Sequence, residues 1–434
     1  MIDIQFIRDN AELVAEKSKQ KGYKVDISAL LAQDEQRRKL LTQVEALRQQ
    51  RNEISDASKG QKPSDEQIQS GRVIKEKLAE LESDLATVES EFFSLLKSVP
   101  NMPLSDVPVG STEDENVEVY KKGKISSFDF APKNHAVIAE TLGWLDKERA
   151  AKVTGSRFAY IKGDMVKLQF ALISWLMDAL SDETILRQIA DNAGLTKVSS
   201  KPFTPILPPH LLRTEMYEAM DRLEPRDDRY KIEGEELWLQ GSAEHVLGSM
   251  HANEIFEEKD LPIRYLGYAT SFRREAGTYG KDMEGIIRMH QFDKLEMESF
   301  TSPEAGLDEH LFMVAIQEYI LEQLEVPYRK LLKCTFDIGK PNARGVDLEA
   351  WLPAQDQYRE THTADYMTDY QSRRLQTRFR RDDKTKVELV HTNDATALAL
   401  GRGMVAIIEN YQTSDGHVRV PEVLINYMGG KEQL

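Results

Sequence analysis

Between Ile74 and Leu95 the apolar residues Ile74, Leu78, Leu81, Leu85, Val88, Phe92 and Leu95 are spaced 4,3,4,3,4,3. That is a heptad seam, and a long helix buries it by facing a partner helix. Upstream, Leu40, Val44, Leu47 and Ile54 repeat similarly between Ser28 and Ile54. The two runs are separated by DASKGQKPSD, a polar tip in which Pro63 breaks the helix and Ser64 with Gln67 has capping-box spacing. The pattern predicts an antiparallel two-helix coiled coil, each helix about 30 residues and therefore ~45 Å long. Such an arm has little core of its own and is built to reach. On its outgoing helix Arg37, Arg38, Lys39, Arg48 and Arg51 outnumber Glu45, and Lys59 and Lys62 sit at the tip. These charges are either a stripe for a polyanion or a solvated coiled-coil face.

The return helix closes at VPNMP (residues 99–103), which divides the chain into 1–104 and 105–434. In the second part helical periods (Asp164 to Ala190, Pro303 to Leu324) mix with strand-like runs: IRYLGYATSFRRE, IIRMHQFDKLEMESF and CTFDIG. Strands follow one another without a helix between each pair. An α+β fold is therefore expected, an antiparallel sheet flanked by helices rather than a doubly wound parallel sheet. Cys334 is the single cysteine, so no intrachain disulfide forms, and no structural zinc is expected. No run approaches the about 18 apolar residues of a membrane span, and MIDIQFIRDN does not look like a signal peptide. A cytoplasmic protein is expected. With a net charge of −16, any polyanion must be met by a local basic patch. No P-loop and no GxGxxG opens a helix.

Three clusters put charge where a core should be. In TSFRREAG, strand alternation would put Arg273 and Glu275 on one face and Arg274 on the other, a pairing suited to a phosphate and a base or equally to an edge ion pair. In HTNDATALALGRGMVAIIENY, Arg402 interrupts an apolar run between Gly401 and Gly403 and needs either a structural carboxylate or a polyphosphate. In WLPAQDQYRETHTADY, Glu360 and Thr363 offer a carboxylate and a hydroxyl to a hard cation such as Mg²⁺, although ExxT is also a common turn.

Taken together, FRREAG…HQFDKLEM (270–297) resembles motif 2 of the class II aminoacyl-tRNA synthetases, and ALGRGMVAIIENYQ (near 398–412) resembles motif 3. In detail the chain is similar to the seryl-tRNA synthetases: MIDIQFIRDN, the hairpin, SVPNMPLSDVPVG, FTPILPPHLL as motif 1 (near 203–211), GSAE (241–244), and WLPAQDQYRE with DYQSRRLQTR. The resemblance implies activation of serine by ATP and transfer to tRNA(Ser), and to tRNA(Sec) where one exists, by a homodimer joined through motif 1. It implies that Arg273 and Arg402 clamp ATP and that Mg²⁺ sits on Glu360 and Thr363, with Thr361 and His362 between them. Phe292 and Glu275 would hold adenine, with Arg274 less critical. Glu296 would meet the serine ammonium, and Ser242, Ala243, Glu244 and Thr396 would surround its hydroxymethyl group. The arm, with Arg37, Arg38, Arg48 and Arg51, would grip the tRNA. Ser242 replaces the family's usual threonine, and Asp394-Ala395-Thr396-Ala397 replaces Asn-Gly-Ser-Gly in what reads as a substrate loop. A class II ligase for another small amino acid or a carrier protein, or a non-catalytic tRNA-binding paralogue, is the alternative.

Overall fold

A computed structural model describes the chain apart from residues 58–63, 277–284 and 382–385. It divides into two compact units, Met1–Met102 and Pro103–Leu434.

In the first unit, α1 (Ile4–Asp9) and α2 (Ala11–Gln20) precede a hairpin of α3 (Ile27–Ala57) and α4 (Asp65–Ser98). The heptad seam is its interface: Leu78, Leu85, Val88 and Phe92 are buried, and Val44 packs with Leu78 and Leu85. At the end of the seam Leu96 is buried rather than Leu95. A straight helix drifts by about 20° per heptad from a 3.5-residue repeat, which moves the buried stripe in this way. Ser64 and Gln67 complete both bonds of the capping box, at 3.2 and 2.8 Å. The tip residues Lys59, Lys62 and Pro63 lie outside the described residues. Three arm arginines are engaged within the hairpin. Arg37 pairs with Glu89 at 3.0 Å and lies over the Phe92 ring, Arg48 pairs with Glu82 at 2.7 Å, and Arg38 is 3.5 Å from Asp34. Arg51 is exposed.

The second unit is built on an eight-stranded sheet. Its strands are β1 (Val117–Lys122), β2 (Thr204–Ile206), β3 (Ile263–Phe272), β4 (Gln291–Thr301), β5 (Tyr328–Leu332), β6 (Arg344–Leu352), β7 (Gln357–Thr368) and β8 (His391–Ala399), bonded in the order β1-β5-β6-β7-β8-β4-β3-β2. All neighbours are antiparallel except the edge pair of β2 and β3. Four of the helices packed on it are α5 (Asp164–Leu180), α6 (Ala243–Ser249), α7 (Gly306–Gln323) and α8 (Leu400–Asn410). Leu266, Leu295, Met297, Leu348, Ala364, Ala395 and Ala397 share one apolar core with α5, α7 and α8. The other face is polar, and α6 covers part of it across β3 and β4.

The sequence reading differs in three places. CTFDIG is a turn following β5, not a strand. The helical run from Asp164 breaks after Leu180, where Asp182 caps a separate helix, Glu183–Asn192. β3 stops at Phe272, so Arg273 to Glu275 lie beyond the strand. The segment expected as motif 1 contains the parallel edge strand β2, and buried Arg264 of β3 anchors the segment leading into it. Its guanidinium is held by both Glu309 oxygens at 2.6 Å, donates to the carbonyls of Ser199 and Lys201, and stacks over Phe203 and Phe312.

Helix α6 lies close to the sheet because β3 carries a glycine beneath it. A Cβ on Gly267 would stand 2.7 Å from Leu247 Cδ1, and Leu247 is buried. Gly267→Ala should therefore cost about 1–3 kcal/mol by overpacking. Thermal melting should show a lowered Tm that Leu247→Ala in the same chain partly restores; an unchanged Tm in the single variant would refute the close-approach argument.

Candidate active site

A cavity of about 850 Å³ opens on the polar face of the sheet. Its lining includes Arg222, Glu244, Arg273, Lys294, Glu360, Thr363, Asp365 and Arg402, drawn from segments far apart in sequence. The three charged clusters of the sequence thus converge on one space.

At one end, the Arg273 backbone exchanges hydrogen bonds with His290, its N–H reaching the carbonyl and its carbonyl facing Nδ1, each at 2.9 Å. Its Nε donates to the Gly241 carbonyl at 3.0 Å, and the guanidinium lies 5.3 Å from the Phe292 ring centroid. Glu275 is not its partner on a strand face, as alternation implied. Glu275 has φ +52°, a left-handed conformation that turns the chain, and its carboxylate meets Arg288 at 2.5 Å. Arg274 is exposed and is not part of the cavity lining.

Arg402, in the first turn of α8, donates to the Glu360 carbonyl at 2.8 Å and stands 3.1 Å from its carboxylate. Glu360 and Thr363 are three residues apart, which on a regular strand gives opposite faces. A bulge restores them to one face. Leu348 pairs with His362 and Glu349 with Glu360, so Thr361 is the extra residue. Thr361 and His362 are buried, Thr361 Oγ1 donating to the Leu348 carbonyl, and burial holds the His362 imidazole down to about 4. Thr363 Oγ1 and Oδ1 of Asp347, its cross-strand partner, are buried on facing positions, with Lys333 Nζ 3.7 Å from Asp347 Oδ1. Burial, against the opposing pull of Lys333 and with Glu360 nearby, raises the Asp347 carboxyl to about 7. A hydroxyl and carboxyl oxygens gathered on one face, Thr363 with Glu360 and Asp347, are the donor set of a hard, oxygen-seeking cation.

At the other end, β4 is polar along one face: Lys294, Glu296 and Glu298. Lys294 Nζ contacts Glu296, and Ser242 donates to Glu296 Oε2 at 3.0 Å. Ser242 holds the N-cap position of α6 but gives its hydroxyl to this carboxylate instead of the helix. Thr396 Oγ1 lies 3.3 Å from Lys294 Nζ and 3.5 Å from Glu296 Oε1. Ala243 is buried with Leu247 and Ala269, in the packing of α6 rather than on the cavity. The Asp394-Ala395-Thr396-Ala397 stretch is central strand β8, not a loop; Ala395 and Ala397 face the apolar core, and Asp394 and Thr396 face the site.

Asp365, Glu298 and Arg222 were not singled out in the sequence. Asp365, Asp394 and Glu298 stand directly opposite one another across β7, β8 and β4. Arg222 meets them, 2.6 Å from Glu244, 3.5 Å from Asp394 and 3.9 Å from Asp365. Burial alone would raise the Glu244 carboxyl; the opposing charges, Arg222 foremost, hold it down to about 2. Asp394 and Glu298 go the other way: burial, then Glu244 and Asp365, push Asp394 well above the usual range, and burial, then Asp394 and Glu244, do the same to Glu298. Glu244, Glu296 and Asp394 bring carboxylate oxygens within 4.8 Å of one another.

Asp394 is protonated in the folded chain at pH values where it ionises when unfolded. Its contribution to stability is greatest below the unfolded value of about 3.9 and declines as pH rises toward the folded one. Asp394→Asn should therefore gain on the parent as pH rises, by up to about 1.4 kcal/mol per unit. Tm differences measured from pH 5 to 8 check this, and a difference that shrinks with pH contradicts it.

Residues 1–103 match the seryl-tRNA synthetase N-terminal domain, and residues 229–411 match the class II tRNA synthetase core domain of the G, H, P, S and T enzymes. The chain is 36% identical over 439 residues to the serine–tRNA ligase of Nitrosopumilus maritimus, covering 100% of both. It is 39% identical over 434 residues to that of Desulfitobacterium hafniense, covering 99% of both. Among solved structures it is similar to the seryl-tRNA synthetase from Pyrococcus horikoshii complexed with ATP, with TM-score 0.85, 36% identity, and 100% and 99% of the two chains covered. The chain belongs to the seryl-tRNA synthetase family.

Proposed function

We propose that the chain is a serine–tRNA ligase that forms seryl-adenylate from serine and ATP in this cavity, releases pyrophosphate, and passes the seryl group to the terminal adenosine of tRNA(Ser). The observation that carries the reading is the convergence of Arg273, Arg402, Glu360 and Thr363 on a single cavity beside the Ser242, Glu296 and Thr396 cluster.

The serine carboxylate is ionised at neutral pH and attacks the α-phosphate without a general base. Catalysis then rests on alignment and charge. Arg273, fixed through its backbone and by Gly241, is placed to hold the carboxylate and the α-phosphate, with adenine against Phe292 near Glu275. Arg402 holds the γ-phosphate, giving up part of its contact with Glu360. Mg²⁺, when bound on Glu360 and Thr363, supplies charge neutralisation for the phosphates. Glu296 takes the serine ammonium in exchange for Lys294, and Ser242, Thr396 and Glu244 face the hydroxymethyl group. Hydrogen-bonding that hydroxyl rejects alanine, which would leave buried polar groups unpaired.

The hairpin is assigned to the tRNA. Arg51 is exposed, and Arg37, Arg38 and Arg48 can exchange carboxylates for phosphates. The same arm serves tRNA(Sec) in an organism that has one. A homodimer through residues 203–211 fits the exposure of Leu207 there, and the cytoplasm is the assigned compartment. No described helix is long and apolar enough to cross a membrane.

ATP–pyrophosphate exchange with serine, threonine, glycine and alanine tests the reading, and serine should be preferred. Exchange driven best by another of the four, or by none, favours the alternatives instead. Arg273→Ala should lower serine-dependent exchange by about 10²–10³-fold. Deleting residues 30–95 should abolish charging of tRNA(Ser) while exchange survives; loss of both would mean that the arm is needed for the fold or the chemistry.

A further inference from the structure

The floor of the amino-acid pocket contains an arrangement that the adenylation chemistry does not call for. Asp365, Asp394 and Glu298 form a row of carboxyl groups across three adjacent strands, and such groups directly opposite one another destabilise a sheet once they ionise. Lys333 faces Asp365, and the Arg222 guanidinium approaches the row at Asp394. It reaches Glu244 with Nε at 2.6 Å, and Asp394 with Nη2 at 3.5 Å. Nη2 also donates to Asn342 Oδ1 at 3.0 Å.

The backbone of Arg222 is held on both sides. Asp221 before it is left-handed, φ +57°, with its carboxylate taken by Lys340, Tyr370 and Arg374. The Arg222 carbonyl accepts from Nε and Nη2 of Arg229 at 3.3 and 3.2 Å. A residue in so costly a backbone region persists where its surroundings over-determine it, so the guanidinium enters the pocket from a rigid base. Arg222 also lines the cavity beside Glu244. Its planar fork spans two carboxyl groups in a way that a lysine ammonium cannot.

We propose that Arg222 and Asp394 act as a coupled pair that sets amino-acid selectivity: Arg222 is a positioning residue that fixes the Glu244 carboxylate at the pocket wall, and Asp394 holds the far edge of the guanidinium so that it stays in that pose. The proposal rests on reading Glu244 as part of the serine pocket. Asp394 stands where the family pattern that the sequence resembles has asparagine.

The test is a cycle of parent, Arg222→Gln, Asp394→Asn and the double variant in ATP–pyrophosphate exchange, with KM measured for serine and ATP and kcat/KM compared for serine and alanine. Arg222→Gln should raise the serine KM by about tenfold and narrow the serine-to-alanine ratio by about tenfold, as lost wall contacts do, with the ATP KM changed less than about twofold. Introduced into Asp394→Asn, the same change should have an effect on serine kcat/KM smaller by roughly fivefold, because partners in one network are not additive. Independent, multiplying effects would overturn the proposal, as would an ATP KM that rises along with that of serine. If Arg222→Gln does not fold, Arg222→Lys carries the test: it keeps the charge without the fork, and parental selectivity in that variant overturns the proposal. A parent chain without serine-dependent exchange would overturn the functional reading beneath it.

Discussion

Strand β4 is buried along most of its length, yet only one of its faces is apolar. Leu295 and Met297 close the core, while Lys294, Glu296 and Glu298 are held out of water on the other side. Charged groups enter such a place only with partners. Much of the site follows from that requirement. Lys294 and Ser242 answer Glu296, Arg222 answers Glu244 and approaches Asp394, and burial raises the Glu298 and Asp394 carboxyls well above the usual range. A single alternating strand thus gives the second unit its hydrophobic core and its polar pocket together.

The backbone around this strand is arranged so that side chains can reach it. Gly267 lets α6 settle on the sheet, which brings Ser242 to Glu296 and Glu244 to Arg222. The bulge at Thr361 turns Glu360 to the side of Thr363, and the left-handed Glu275 ends the run of strand geometry beyond Arg273. Each departure from regular structure re-aims one functional side chain.

How far the sequence carries depends on how local the signal is. The hairpin was legible because a heptad repeat and a capping box are each contained within one helix. The sheet face of Leu295 and Met297 was legible in the same sense, as simple alternation. FRRE misled because the same alternation was continued past Phe272, where the strand has ended. CTFDIG misled because its apolar residues close a turn: Cys334 and Ile338 are buried while Phe336 is exposed. Arg273, Arg402, Glu360 and Thr363 stood out as polar groups in apolar runs, but only the family motifs joined them into one expected site. Arg222 carried no signal of its own. It lies in an irregular stretch after a six-residue helix, and only the fold brings it to Glu244, Asp365 and Asp394.

The same reasoning bears on the departures from the family pattern. As a loop, Asp394-Ala395-Thr396-Ala397 suggested altered mobility near substrate. As strand β8, it divides the two alanines from Asp394 and Thr396 by face. A Cβ at 395 or 397 is added to the apolar core, where methyl groups stabilise by burial. The oxygen atoms of 394 and 396 are buried on the polar face beside Arg222, Lys294 and Glu296, where every polar group needs an answer. The extra methyls therefore bear on stability, and the acid bears on the pocket. That acid comes with an arginine already rigidly held within reach of it.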